Sequence, residues 1–284
     1  TNSSDSTASA TATPSKSKRS TTPSQPPKRA ACIYQALTLL KKTQSRSTSE
    51  LFDKCTLDEW RSLCCINNYH EIIRTAIEVY TKELLDMQRK NLFDYAYELY
   101  ADTVPDKDQQ SEIETIFIGI DVPKFCADLK IVLEKSDYKM NSLRIYGNPN
   151  TCKSLIANCI VNPFVCCYMN NHGSENEFFI SNMLNKSIVL CEELYVTTTT
   201  SEDLKSILGG QNIDISKKYN EKQLMCRTPI IITSNYEKFG RGHLPELDEI
   251  ALNNRCFSYN FRRAYKPSVK ITCDQFYYFV FKNL

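Results

Sequence analysis

The fold of this chain is most clearly indicated by eight residues, "GNPNTCKS" at 147–154. They match the phosphate-binding pattern G-x-x-x-x-G-K-[ST], except that Cys152 stands where the second glycine belongs. The preceding "SLRIY" (142–146) is typical of a short buried strand, and "KSLIANCI" (153–160) is typical of a helix. A strand, a loop that ends in Lys-Ser and a helix form the context that such a loop requires. The reduced motif is weak by itself, because Gly, Lys and Ser at this spacing also arise by chance.

If the loop works, its residues hold a nucleotide: Gly147, Asn148, Pro149, Asn150, Thr151, Cys152, Lys153 and Ser154. Lys153 would then reach the β- and γ-phosphate oxygens of ATP, and the Ser154 hydroxyl would coordinate Mg²⁺. A Cβ at position 152 costs about 1–2 kcal/mol if the backbone there is left-handed. Because Cys is small, we expect weakened or normal ATP binding rather than none. An inactive remnant of such a site stays open as the alternative.

Four further apolar runs predict strands: "FVCCYM" (164–169), "KSIVLC" (186–191), "PIIIT" (229–233) and "CFSYNF" (256–261). Near-continuous apolar strands that alternate with helices are typical of a parallel sheet covered on both faces. We therefore predict an α/β fold with a central, mainly parallel five-stranded sheet.

Polar residues follow two of these strands. Glu192 and Glu193 end the apolar run of "SIVLCEEL" (187–194). Glu192 would hold Mg²⁺ directly or through water, and Glu193 would orient and deprotonate the attacking water. Asn235 ends "TPIIITSN" (228–235) and would reach the γ-phosphate or that water. The alternatives are two acids at a solvated strand end and an Asn in an ordinary turn.

A basic segment lies between these two elements, in "ILGGQNIDISKKYNEKQLMCR" (207–227). A Gly-Gly turn, alternating apolar residues and a basic tip predict a hairpin that presents Lys217, Lys218 and Lys222 to a nucleic-acid backbone. An exposed hairpin without a ligand would show the same pattern.

The first part of the chain has a different composition. Residues 1–30 are basic and rich in Ser, Thr and Pro, which predicts a disordered tail that is a nuclear-import signal, a nucleic-acid arm or a linker. From 31 to 110 apolar residues recur at three- and four-residue steps, and "STSELF" and "TLDEW" are typical helix starts. We predict a small helical domain there, for packing or subunit association, and an α/β domain at 111–284.

The composition limits other classes of function. The formal net charge is +2, so any nucleic-acid contact in the body must be local. Thirteen cysteines without a C-x-x-C pair, together with three histidines, argue against a zinc site and for buried reduced thiols. No apolar run reaches membrane-spanning length, so no membrane contact is expected. The start at Thr1 rather than Met indicates a fragment or a processed product.

Taken together, "GNPNTCKS", "IVLCEEL", "ILGGQNIDISKKY" and "TPIIITSN" resemble, in their order and spacing, the superfamily-3 helicase domain of small DNA viruses. The greatest likeness is to the nonstructural replication proteins of parvoviruses, including the insect-infecting kind. "ALNNRCFSYNF" (251–261) is similar to the segment that supplies an arginine finger, and "DVPKFCADLKIVLEK" (121–135) is similar to the helix before the first strand. The resemblance covers roughly 115–265, and the combination is far more specific than its parts.

This resemblance implies an AAA+-like P-loop NTPase, an ATP-dependent DNA helicase whose subunits form a ring, usually a hexamer, with ATP at each interface. It also implies that Glu192 and Glu193 are the acidic pair, that Asn235 is the sensor, and that Arg255 enters the neighbour's site. Lys218 would lie on the hairpin that lines the pore and moves along single-stranded DNA, 3′ to 5′. The helical domain would serve ring assembly, and the place of action would be the host cell nucleus.

Members of this family usually carry an upstream nicking endonuclease domain with a His-x-His metal site, and this chain has no such pair. Two rival interpretations stay open. One is a DNA-binding or assembly module that has lost catalysis; Cys152 favours it, whereas the intact acidic pair, sensor and finger disfavour it. The other is the RNA-virus branch of the superfamily, which a preference for single-stranded DNA over RNA would exclude.

Overall fold

The computed structural model describes residues 28–170, 179–215 and 223–284. The chain divides into two compact units, Thr1–Ile77 and Glu78–Leu284. The predicted domain boundaries at 30 and 110 stay predictions. Two predicted features lie outside the described residues, namely most of the basic tail and the lysines Lys217, Lys218 and Lys222.

The described part of the first unit is helical. It contains α1 (Lys28–Thr43), α2 (Thr48–Lys54), α3 (Leu57–Cys64) and the first part of α4 (Tyr69–Gln88). Both predicted helix starts are confirmed, because Ser47 caps α2 and Thr56 forms a capping box with Glu59 at the start of α3. The side chains buried in this unit are mainly aliphatic and include Ala36, Leu40, Leu51, Leu63 and Ile73.

The described part of the second unit contains seven short strands: β1 (Ser142–Gly147), β2 (Cys166–Asn170), β3 (Ile188–Glu192), β4 (Ile213–Ile215), β5 (Gln223–Met225), β6 (Ile230–Ser234) and β7 (Cys256–Phe261). Five of them form one sheet in the order β2-β3-β6-β1-β7, and every neighbouring pair is parallel. The predicted five-stranded parallel sheet is therefore confirmed. β4 and β5 pair separately and antiparallel.

Helices cover both faces of this sheet. Besides the end of α4, the helices in the described part of this unit are α5 (Leu92–Tyr100), α6 (Lys107–Ile116), α7 (Val122–Glu134), α8 (Lys153–Val161), α9 (Ser201–Leu208), α10 (Glu246–Asn253) and α11 (Cys273–Lys282), and a 3-10 helix spans Phe179–Met183. Along β3, Ile188 and Leu190 join one apolar core, whereas Val189 and Cys191 join the other. Two buried faces explain why the strands are apolar at nearly every position.

All thirteen cysteines are free. The prediction of buried thiols is wrong for Cys64, Cys65 and Cys226, which are exposed; the first two lie where α3 ends. Within residues 28–170, 179–215 and 223–284, no group of three or more His, Cys, Asp and Glu side chains could hold a metal ion. No helix of these same ranges is long and apolar enough to cross a membrane.

Candidate functional site

The candidate site lies where three neighbouring strands end. β3, β6 and β1 are adjacent and parallel, so their carboxyl ends meet at one edge of the sheet, which is where α/β folds bind ligands. β1 ends at Gly147 and α8 begins at Lys153. Glu192 is the last residue of β3, and Asn235 directly follows β6. The structure thus brings together the predicted loop, the acidic pair and the predicted sensor.

Gly147 needs to be glycine for two reasons. Its φ is 137°, in the region that glycine favours. A Cβ at this position would lie 2.1 Å from the carbonyl oxygen of Phe261, the last residue of the neighbouring strand β7. The close approach of β1 to β7 therefore requires glycine as the first residue of the loop.

Cys152 adopts the backbone conformation for which the motif uses glycine. Its φ and ψ are 62° and 17°, which is left-handed. Burial raises the pKa of its thiol above the ordinary value, so the thiol stays protonated and can donate a hydrogen bond. Its Sγ lies 3.1 Å from the carbonyl oxygen of Tyr265. The thiol contact helps to offset the strain that the Cβ introduces.

We expect Cys152→Gly to change the free energy of unfolding by less than about 1 kcal/mol. Relief of left-handed strain, about 1–2 kcal/mol, is offset by the greater freedom of glycine in the unfolded chain and by loss of the thiol contact. Cys152→Val should destabilise the fold by more than about 1 kcal/mol, because a β-branched residue is a true outlier at this φ. Urea unfolding measures both changes.

Cys152→Ala is the matched control for this series, since it keeps the Cβ and removes only the thiol. Its difference from wild type isolates the contact with Tyr265. A glycine variant more stable than wild type by about 2 kcal/mol would show that the thiol offsets none of the strain.

The segment that follows β7, which was not predicted from the sequence, contacts the loop. The Tyr265 N–H donates to the Asn150 carbonyl at 2.9 Å, and the Asn148 side-chain amide donates to the Arg262 carbonyl at 3.4 Å. On α6, Glu112 accepts hydrogen bonds from Ser268 and from the Tyr265 hydroxyl, which hold the pKa of its carboxyl below the ordinary value. The chain after β7 thus fixes the shape of the loop.

Lys153 lies inside this loop and is 6% exposed. Its Nζ donates to the Asn148 carbonyl at 2.5 Å and lies 3.3 Å from the Thr151 hydroxyl. Burial lowers its pKa, and the charge of Glu193 opposes that effect. Among the hydrogen bonds of the described residues, none uses the backbone N–H groups of 151–154. Free N–H groups at a helix start, with a lysine among them, suit the phosphates of a nucleotide.

The acidic pair separates where β3 ends. Glu192 pairs with Thr233 in the sheet, whereas Glu193 turns away with a φ of 53°. A carboxylate oxygen of Glu193 accepts the Asn235 N–H at 3.2 Å, which joins the ends of β3 and β6. Glu192 and the exposed Ser154 offer the oxygen atoms that Mg²⁺ prefers, and this ion also takes ligands from phosphates and water. The residues present therefore fit a Mg²⁺–nucleotide complex.

Arg255 does not lie at this edge of the sheet. It directly precedes β7, whereas the loop lies where the parallel strand β1 ends, so the length of a strand separates them. The guanidinium of Arg255 donates to the Ala251 carbonyl and lies close to Gly209, where an added Cβ would be 3.2 Å from its Nε. Within one chain the structure does not bring Arg255 to the other predicted site residues.

The flanks of the predicted hairpin are described, although its lysines are not. β4 and β5 pair antiparallel, with Ile215 opposite Gln223, so the strands on either side of the basic tip are those of a hairpin. The role of Lys217, Lys218 and Lys222 stays a prediction.

Two more arginines near the site were not among the predicted residues. The guanidinium of Arg241 lies 5.0 Å from the ring centre of Tyr195 and 4.4 Å from that of Tyr236. Arg144 is buried in the middle of β1. A charged residue within an apolar strand is the signal that could have singled out Arg144.

Comparisons with known proteins identify the family of this chain. A family model described as parvovirus non-structural protein NS1 matches residues 46–238, which is more than half of the chain. The initiator protein NS1 of Bombyx mori densovirus is 27% identical over 121 residues, which cover 41% of this chain and 13% of the relative. The initiator protein NS1 of human bocavirus 3 is 26% identical over 172 residues, which cover 60% of this chain and 22% of the relative. The matched part is thus a small fraction of either relative.

Solved structures show the same fold. An inhibitor-bound JCV helicase superposes with a TM-score of 0.53, over 84% of this chain and 78% of that chain, at 12% sequence identity. The predicted α/β fold with its five-stranded parallel sheet is therefore shared with that helicase.

Proposed function

Because the chain belongs to the family of parvovirus non-structural protein NS1, we propose that it is an ATP-dependent DNA helicase that acts in viral DNA replication. One observation carries the proposal. A phosphate-binding type of loop, an acidic residue and a polar residue converge where three adjacent parallel strands end. The names of the relatives, initiator protein and helicase, support the replication role.

The side chains have distinct tasks in this proposal. The free N–H groups of the loop and Lys153 bind the phosphates of ATP, and Ser154 and Glu192 hold Mg²⁺. When bound, Mg²⁺ neutralises charge on the phosphate oxygens. Glu193 accepts a proton from the attacking water, and its hydrogen bond with the Asn235 N–H keeps its carboxylate at the end of β3.

In this proposal the subunits assemble into a ring, a hexamer as in most of the family, and the ring adds a neighbour's arginine to each nucleotide site. Catalysis of phosphoryl transfer gains from a cation that stabilises the transferred group, and the predicted arginine finger, Arg255, lies at the opposite edge of the sheet. A neighbouring subunit that presents this edge would supply the missing cation. This arrangement also makes hydrolysis dependent on assembly.

We further propose that the substrate is single-stranded DNA, gripped by Lys217, Lys218 and Lys222, and that the host cell nucleus is where the protein acts. Lys218→Ala should lower duplex unwinding by about tenfold more than it lowers ATP hydrolysis without DNA, because a pore lysine contacts the strand and not the nucleotide. Lys90→Ala, an exposed lysine between α4 and α5, is the matched control. Equal loss of both activities in Lys218→Ala would contradict the assignment.

The first experiment measures ATP hydrolysis without nucleic acid, with single-stranded DNA and with single-stranded RNA. Hydrolysis that DNA stimulates and RNA does not supports the DNA motor. The second candidate, a DNA-binding or assembly module without turnover, is favoured by the Cβ at position 152. DNA binding without hydrolysis, in Cys152→Gly as in wild type, would favour this module.

A further inference from the structure

Arg144 is a buried charged residue in the strand that leads to the loop. It is 1% exposed, and its neighbours on β1, Leu143 and Ile145, are fully buried. Burial lowers the pKa of its guanidinium, and arginine is almost never fully buried without partners. None of the ion pairs within the described ranges includes Arg144. Its partners must therefore explain why an arginine occupies this position.

The main partners are backbone carbonyls of the segment that follows Asn235. Nη2 of Arg144 donates to the carbonyls of Tyr236 at 2.8 Å and Glu237 at 2.5 Å. Its guanidinium also lies 4.1 Å from the ring centre of Phe239. Arg144 thus holds residues 236–239, the sensor segment, against β1.

Helix α10 holds the same segment from another side. Glu249 is 6% exposed and accepts hydrogen bonds from the N–H groups of Phe239 at 2.9 Å and Gly240 at 2.6 Å. Nη1 of Arg144 donates to the Asn253 side chain at 3.2 Å, and Asn253 in turn donates to the Glu249 carbonyl at 2.9 Å. Arg144 is therefore bonded both to the sensor segment and to α10.

Helix α10 leads directly to Arg255. The helix ends at Asn253, and the Arg255 guanidinium donates back to the Ala251 carbonyl within it. A continuous path of hydrogen bonds therefore runs from the segment after Asn235, through Arg144 and Asn253, to the helix that ends two residues before Arg255. A movement of the sensor segment would displace α10, because the buried contacts leave little room for independent motion.

We propose that Arg144 is a positioning residue that couples Asn235 at a subunit's own nucleotide site to Arg255, which acts at the neighbour's site. This inference rests on the proposed function, since it assigns both ends of the path to ATP hydrolysis. The nucleotide bound at one site would then influence the position of Arg255 at the neighbouring subunit's site.

The test compares Arg144→Leu, Arg144→Lys and Asn253→Ala with wild type. Asn253 is exposed, so its replacement leaves the core intact, whereas Arg144→Leu risks the fold. Tyr259→Phe is the control for a general loss of buried hydrogen bonding, because the Tyr259 hydroxyl donates to Asp128 and does not touch the sensor segment. Two readouts are needed: the kcat and KM of ATP hydrolysis, and amide hydrogen exchange in 235–240 and 248–256 with a non-hydrolysable ATP analogue.

We expect Arg144→Leu to lower kcat about tenfold or more, with a much smaller change in KM, because misplaced groups cost rate more than ground-state binding. Arg144→Lys should recover part of the rate. In wild type the analogue should slow exchange in both segments; in Arg144→Leu and in Asn253→Ala it should slow exchange in 235–240 alone. The coupling would be overturned if Arg144→Leu had the same kcat as Tyr259→Phe. It would also be overturned if the analogue still slowed exchange in both segments of Asn253→Ala.

Failure of the proposed function gives a different result. If wild type neither hydrolyses ATP nor responds to the analogue, the helicase proposal fails. The hydrogen-bonded link between the sensor segment and α10 can still be measured by hydrogen exchange without nucleotide. Asn253→Ala should then speed exchange in both segments relative to wild type. Unchanged exchange would overturn the link itself.

Discussion

Lys153→Ala is expected to lower ATP hydrolysis at saturating ATP by at least about a hundredfold, the usual effect of removing one charged or polar donor from a transition state. Lys153 is buried inside the loop, and its Nζ is held by the Asn148 carbonyl. Phosphate oxygens are stronger acceptors than a carbonyl, so the same amine can transfer its hydrogen bonds to ATP. Alanine removes this donor and leaves no other lysine in the loop.

Lys153→Arg is the matched variant, because it keeps the charge but replaces a compact ammonium by a planar fork. The loop encloses the Lys153 amine closely, so arginine should also lose most of the activity. The free energy of unfolding should not fall in Lys153→Ala, since burial disfavours the charged amine in the folded chain. Full hydrolysis by Lys153→Ala would show that the loop is not the phosphate site.

The sequence predicted those parts of the fold whose causes are local. The apolar runs predicted all five strands of the sheet, because a strand buried on both faces needs apolar residues at nearly every position. The Ser47 and Thr56 caps were equally predictable from the sequence, because a cap and its partner lie within one helical turn. Lys153, Glu193 and Asn235 each follow a predicted strand of a parallel sheet, and parallel strands end at one edge, so their position at that edge was also predictable.

The supporting contacts of the site were not predictable, because their partners are distant in sequence. The loop pattern flagged Cys152 as a strained position, but the carbonyl that accepts its thiol belongs to Tyr265. Arg144 was not among the predicted residues, and its partners lie in the segment that follows β6 and on α10. Such contacts depend on how elements pack, which a periodic pattern does not encode.

Glu193→Gln is expected to lower kcat for ATP hydrolysis by about a hundredfold to ten-thousandfold, the contribution typical of a positioned general base. Glutamine has the same shape and can still accept the Asn235 N–H through its amide oxygen. It cannot take a proton from water. ATP binding should therefore survive, because the phosphates are held by the loop and Lys153 and not by this carboxylate.

Glu192→Gln is the control for charge at the end of β3. Glu192 stays paired with Thr233 in the sheet, so its substitution should act on Mg²⁺ rather than on proton transfer. The expected result is a higher Mg²⁺ concentration for half-maximal hydrolysis, with much of the rate restored when Mg²⁺ is raised. Excess Mg²⁺ should not rescue Glu193→Gln, and this difference separates the two carboxylates.

The opposite pattern would exchange the roles of the two acids. If Glu193→Gln responded to Mg²⁺ and Glu192→Gln did not, the base would be the residue that remains in the strand. The left-handed turn at Glu193, with a φ of 53°, would then serve to direct a metal ligand. If both variants kept the wild-type rate, neither carboxylate would touch the attacking water, and the hydrogen bond between Glu193 and Asn235 would serve only to join β3 to β6.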